Sequence, residues 1–202
     1  MTIRLLLADD QALVRGALAS LLDLENDMEV VVEVGRGDEV MAAAKEFLPD
    51  VALLDVEMPG LDGIEAAREL RSALPDVKVL IVTTFGRPGY LRRALQAGAS
   101  GFVVKDTPAR QLADAVRRVH AGLRVVDPGL AADSLAVGES PLTTRETEVL
   151  RAARGGGSVS DIAAAVFLSE GTVRNHLSAA IGKTDARNRA DAVRIADDNG
   201  WL

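Results

Sequence analysis

The stretch 50-DVALLDVEMPG-60 decides the fold. Val51-Ala52-Leu53-Leu54 is an unbroken apolar run. It delivers a carboxylate, Asp55, and Pro59-Gly60 then break the chain. A run this short and this uniformly apolar, bounded by turn formers, reads as a strand covered on both faces. Asp55 therefore stands at the end of a buried strand, a costly place for a charge without a task.

Four more runs share this character: "IRLLLA", "MEVVVEV", "VKVLIVTT" and "GFVVK". Helical patterns separate them, over residues 12–24, 40–48, 64–74, 90–97 and 110–121. In the first, Leu13, Ala17, Leu21 and Leu24 fall in one register. Pro88 and Gly98 start and stop the fourth. Five such units predict a doubly wound α/β domain over residues 1–122, with a five-stranded parallel sheet in the order 2-1-3-4-5.

Residues 123–140 break the rhythm with Pro, Gly and small residues, and read as a linker with at most one helical turn. From Thr143 onward the pattern is helical. Thr143 with Glu146 forms a capping box, Ser158 with Asp161 caps a second helix, Ser169 caps a third, and a fourth runs from about residue 189 to 197. Residues 141–202 thus form a small all-α domain of four helices.

The 202 residues contain no cysteine, and no apolar run approaches the ~18 residues of a membrane span. A cytoplasmic protein without membrane contact is expected. The net charge of −7 weakly disfavours nucleic acid, yet all of it lies in residues 1–139. Residues 140–202 hold eight basic against eight acidic residues, so a basic face is open to them.

In a parallel sheet, ligands sit beyond the carboxyl ends of the strands. Applied here, that rule gathers Asp9-Asp10, Asp55, Thr83-Thr84 and Lys105 at one edge. Carboxylate pairs about 4 Å apart repel by roughly 4 kcal/mol at an effective dielectric of ~20. Three of them call for a hard cation with oxygen ligands, and Mg²⁺ fits. Asp55 then reads as a nucleophile toward a phosphoryl group. Lys105 offers an ammonium to a phosphate oxygen and Thr83 a hydroxyl to another.

The motifs "ADD", "LLDVEMPGLDG", "IVTT" and "GFVVKD" resemble the receiver of a bacterial two-component response regulator of the NarL/FixJ type, a flavodoxin-like fold. The resemblance implies that Asp55 accepts phosphate from a sensor histidine kinase. It implies Mg²⁺ held by Asp10, Asp55 and the backbone carbonyl of Glu57, with Asp9 assisting through water. It also implies a switch in which Thr83 moves toward the phosphate and Phe102 turns inward. After the fourth strand the chain reads "FGRPGYLRRAL" where many relatives carry an acid-rich loop, similar to a subgroup that includes a regulator of membrane-lipid fluidity.

In the third C-terminal helix, Val173, Leu177, Ala180 and Ile181 share one face. Gly171, Asn175, Ser178 and Gly182 share the other, flanked by Arg174. A small, polar outer face suits a DNA major groove as well as plain solvent. The run "LTTRETEVL…DIAAAVFLSEGTVRNHL…ARNRADAV" resembles a LuxR-type helix-turn-helix. By that resemblance Thr172 and Lys183 contact phosphates of double-stranded promoter DNA, and Arg174, Asn175 and Ser178 face the groove. His176 reads as packing.

The expected function is a phosphorylation-switched transcription factor. It is not an enzyme beyond Mg²⁺-dependent phosphorylation and dephosphorylation of its own Asp55. Phosphorylation is expected to make a homodimer, through Leu13, Val14 and Leu18 beside Arg15 on the first helix and Leu112, Ala115, Val116 and Val119 on the fifth. Two other readings stay open. A haloacid-dehalogenase-type phosphatase also uses a nucleophilic Asp with Mg²⁺, but wants a second Asp where Glu57 stands. A protein-interaction module that no longer binds DNA fits the neutral charge of residues 140–202.

Overall fold

The computed structural model describes residues 2–84, 86, 88–136 and 140–202. The chain divides into two compact units, residues 1–86 with 90–131 and residues 87–89 with 132–202.

The first unit alternates strand and helix. It runs β1 (Ile3–Ala8), α1 (Ala12–Asp23), β2 (Met28–Val34), a 3-10 turn (Gly37–Glu39), α2 (Val40–Phe47) and β3 (Val51–Leu54). It continues with α3 (Gly63–Ala73), β4 (Lys78–Thr83), α4 (Pro88–Gln96), β5 (Gly101–Val104), α5 (Ala109–His120) and β6 (Val125–Val126), and the boundary between the units falls within the next helix, α6 (Pro128–Ala136). The sheet is parallel throughout, in the order β2-β1-β3-β4-β5-β6. The expected order holds for its five main strands.

Strand alternation splits the apolar residues between two faces. Leu6, Ala8, Ala52, Leu54, Val79 and Ile81 meet residues of α2, α3 and α4. Leu5, Leu7, Val51, Leu53, Leu80 and Val82 meet residues of α1 and α5. Both faces are covered, so β3 can be apolar at all four positions. Each fully buried Leu contributes roughly 1.5–3 kcal/mol over its exposed state.

Three expectations need correction. In α1, Leu13, Ala17, Leu21 and Leu24 point to solvent; Ala19 and Leu22 are buried, and Leu18 packs beside them. The helix is apolar on more than one side, so its register does not identify the packed face. The segment 123–140 is also more ordered than a linker. Val125-Val126 pair with Gly101-Phe102 as a sixth strand, and a nine-residue helix follows. Small residues there allow both elements, and the first unit runs past residue 122 to Ala131. Finally, Leu112, Ala115, Val116 and Val119 are all buried on the sheet. An amphipathic helix has one apolar stripe, and here the sheet takes it, so α5 offers none of these side chains to a second copy.

The second unit holds α7 (Thr144–Ala153), α8 (Val159–Val166), α9 (Glu170–Lys183) and α10 (Arg189–Asp198). Val149, Leu150, Ile162, Val173, Leu177, Ala192 and Ala196 form its core. Side chains of Thr143, Ser158, Ser169 and Asn188 cap the four helices, the first two as full capping boxes. Each cap is worth about 1 kcal/mol. Phe167 turns the chain from α8 toward α9 with φ 55°, a left-handed conformation rare for an aromatic residue. No helix among the described residues is long and apolar enough to cross a membrane.

Candidate functional site

Sheet register builds the first site. Leu54 lies opposite Ala8 on one side and Ile81 on the other. Asp9 and Asp55, each one residue past its strand end, therefore emerge side by side. Thr83 closes β4 opposite Val104, and Lys105 follows β5. The backbone N–H of Lys105 donates to the Thr83 carbonyl at 2.8 Å. Gly63, the last residue of the quoted motif, lets α3 start against this strand end: a Cβ there would stand 1.8 Å from the Asp55 carbonyl oxygen.

Asp9 and Asp55 are buried, at 2% and 3% exposure, and Thr83 is fully buried. Lys105 Nζ bridges the two acids, 2.7 Å from Asp9 Oδ2 and 2.8 Å from Asp55 Oδ2. The second Asp55 oxygen accepts the Val56 N–H at 2.7 Å, and Asp9 Oδ1 accepts the Gln11 N–H at 2.9 Å. Burial pushes the Asp55 carboxyl above its ordinary value, against the hydrogen bond and charge of Lys105. Burial works to lower Lys105, but its hydrogen bonds to Asp55 and Asp9 outweigh it and raise the amine.

Asp10 is exposed at the rim, and ligand oxygens of Asp9, Asp10 and Asp55 all lie within 4.8 Å of one another. One ammonium against three carboxylates leaves an excess of two negative charges. The donor set is all oxygen and fits a hard divalent cation such as Mg²⁺. Phe102 is already fully buried, in the apolar cluster that contains Leu54, Ile81 and Leu91.

Other polar contacts of this edge are not foreseen by the sequence. Glu57 is exposed and its carboxylate accepts from the Tyr90 hydroxyl at 3.3 Å. Asp62 caps α3 through the N–H groups of Ile64 and Glu65, and Arg93 Nη2 lies 3.3 Å from its other oxygen. The loop after Asp55 is thus tied twice to α4, through the "FGRPGYLRRAL" stretch. Phe85 and Arg87 of that stretch lie outside the described residues. Arg15 turns inward and donates to the Asp9 carbonyl. An arginine amid an apolar helix is the one signal that pointed to it.

The second site is α9. Val173, Leu177 and Ala180 are buried; Gly171, Arg174, Asn175, Ser178 and Gly182 are exposed, as their spacing predicts. Both cations of this helix are held by acids. Arg174 Nη2 lies 2.6 Å from Glu170 Oε2, and Lys183 Nζ lies 2.8 Å from Glu146 Oε2. Burial works to raise Glu146, but Lys183 and the Thr143 N–H outweigh it and hold the carboxyl below its usual range. Thr172 shares a hydrogen bond with Ser169, and His176 is half-buried.

Comparison with known proteins finds a family match for each unit. The family model of the response regulator receiver domain matches residues 5–117. That of the bacterial regulatory proteins of the luxR family matches residues 140–196. The transcriptional regulatory protein YvfU of Bacillus subtilis is 46% identical, over 99% of this chain and 100% of its own. The transcriptional regulatory protein DesR of the same species is 42% identical over 99% of each chain. Among solved structures, the response regulator ChrA of a haem-sensing two-component system is 35% identical. Its TM-score is 0.61, with 100% of this chain and 99% of that one covered. The DNA complex of the response regulator RcsB shares the fold, at 21% identity, a TM-score of 0.70, and 98% of this chain and 99% of that one covered. A receiver with its acid at the strand end, joined to a LuxR-type helix-turn-helix and matched along nearly its whole length by such regulators, makes this chain a member of the response regulator family, and a transcriptional regulator.

Proposed function

We propose that the protein is switched by phosphorylation of Asp55 and then binds promoter DNA as a dimer. The observation that carries this reading is the convergence of Asp9, Asp55 and Lys105 within hydrogen-bond reach, beside a buried Thr83. One carboxylate oxygen of Asp55 attacks the phosphorus of a phosphohistidine on a sensor kinase. The phosphorus–nitrogen bond breaks, and the histidine leaves with its electron pair and takes up a proton. Asp9, Asp10, Asp55 and the Glu57 carbonyl would hold Mg²⁺. When bound, that ion offsets the charge of the carboxylate and of the phosphoryl oxygens. Lys105 exchanges one carboxylate partner for a phosphate oxygen, and Thr83 donates its hydroxyl to another. Movement of Thr83 toward the phosphate is accompanied by a shift of Phe102 within the apolar cluster that already buries it.

A phosphoryl group adds about −1.5 to −2 charge, enough to bias a two-state surface. For the dimer we assign α1 alone, because Leu13, Leu21 and Leu24 are 87%, 42% and 78% exposed. In the second unit Arg174, Asn175 and Ser178 read base edges, with Thr172 at a phosphate. Lys183 reaches DNA only by loosening its pair with Glu146. A protein of this kind works in the cytoplasm, where its kinase and its promoter are both within reach. The test is labelling by a small phosphodonor with Mg²⁺. Wild type takes one phosphoryl group and Asp55→Asn none; normal labelling of Asp55→Asn would refute the assignment.

A further inference from the structure

We infer that Arg15 is a positioning residue for the divalent-cation site, acting through the backbone of Asp9. The inference rests on the reading of the acidic pocket given above. Arg15 is four residues past Gln11, which precedes α1 without capping it by its side chain. Its side chain is only 21% exposed. Nη1 donates to the Asp9 carbonyl at 2.6 Å. Nε is buried and lies 3.5 Å from Glu33 Oε2 on β2, an ion pair without a hydrogen bond. A Cβ at Gly35 would stand 3.4 Å from Nη1, so the guanidinium also lies against the backbone that leaves β2.

These contacts wedge Arg15 between the turn after β1 and the end of β2. That turn carries two of the three carboxylates. Asp9 is fixed at both ends: its N–H donates to the Val34 carbonyl at 3.2 Å, and its own carbonyl accepts from Arg15. The Asp9–Asp10 peptide plane is therefore set by the guanidinium, and the direction in which Asp10 leaves the chain is set with it. Without Arg15 the Asp9 carbonyl loses its donor, and Asp10, exposed at the rim, swings over a wider range.

Charge alone predicts the opposite. An arginine beside a cation site repels the ion, so its removal tightens binding. Positioning predicts that removal weakens binding, by about tenfold, the low end of what loss of a ligand's outer partner produces. The sign of the change separates the two. It also separates positioning from a structural role, which lowers the melting temperature and leaves ion affinity alone.

The experiment titrates the full chain with Mn²⁺, following the free ion by electron paramagnetic resonance, for wild type, Arg15→Met, Arg15→Lys and Asp10→Ala. Arg15→Met should bind Mn²⁺ about tenfold more weakly than wild type. Arg15→Lys, with a single donor nitrogen and the same charge, should fall between them. Labelling of Asp55 at saturating Mg²⁺ should stay within about twofold of wild type in both, because Asp55, Thr83 and Lys105 are untouched; this also reports folding. Affinity in Arg15→Met equal to or tighter than wild type overturns the inference. So does slower labelling with unchanged affinity. If Asp10→Ala binds Mn²⁺ as wild type does, the pocket is not the cation site, and the reading beneath the inference falls with it.

Discussion

Replacing Lys105 by Met removes the cation between two buried acids and leaves the shape nearly unchanged. Asp9 and Asp55 then face each other with ligand oxygens no more than 4.8 Å apart. Two unit charges at that distance repel by roughly 3.5 kcal/mol at an effective dielectric of ~20. Neither side of the ion pair is more than 7% exposed, so solvent screening subtracts little. The expected loss of unfolding free energy is about 3 kcal/mol at pH 7, the lower end for a broken buried pair. Asp55 is already held above its ordinary value by burial, and loss of Lys105 raises it further. A carboxyl raised in the folded state contributes stability that is present at low pH and lost as pH rises through its folded value. The deficit of Lys105→Met should therefore shrink between pH 7 and pH 5. Added Mg²⁺ should also narrow it, stabilising the variant more than wild type. Urea unfolding followed by circular dichroism, at both pH values and with or without Mg²⁺, measures all three. An equal deficit at pH 5 and pH 7, with equal Mg²⁺ effects on both proteins, would show that Lys105 does not offset the carboxylate charge.

Arg174→Ala or Asn175→Ala should leave phosphodonor labelling intact and weaken operator binding by about 1–3 kcal/mol each, read by gel shift at fixed salt. Leu13→Glu together with Leu24→Glu should keep the beryllofluoride-treated protein monomeric in light scattering, because each Leu offers about 1.5–3 kcal/mol to an interface that buries it. In the second unit, hydrogen bonds from Arg194 and from Arg187 hold Asp191 well below its usual range. A carboxyl depressed in the folded state stabilises above its unfolded value and loses that contribution as pH falls through the folded one. Thermal unfolding between pH 5 and pH 2 should therefore show a steeper loss in wild type than in Asp191→Asn.

The receiver sheet was legible because its strands are short, apolar and flanked by Pro and Gly, and the positions of Asp9, Asp55, Thr83 and Lys105 followed from strand ends alone. The faces of α9 were legible for a similar reason, since buried Val173, Leu177 and Ala180 alternate cleanly with exposed Asn175 and Ser178. In α1 the same reasoning failed. Its leucines lie on more than one side, and periodicity does not say which side meets Leu5 and Leu7. Strand β6 was hidden because two valines between Arg124 and Asp127 are too short a run to carry a pattern. The links Arg15–Asp9, Tyr90–Glu57 and Lys183–Glu146 join residues far apart on the chain or bond to backbone, and no spacing rule registers them. They bear most on function, because they tie the acidic pocket to its neighbours and pair a cation of α9 with an acid of α7.

The most direct measurement is operator affinity of the full chain with and without beryllofluoride and Mg²⁺, for wild type and Asp55→Asn side by side. Wild type should tighten by a factor on the order of 10² once two copies share adjacent half-sites. Asp55→Asn should not change. Equal affinity of wild type in both states, or the same tightening in Asp55→Asn, would contradict the claim that a phosphoryl group on Asp55 controls DNA binding.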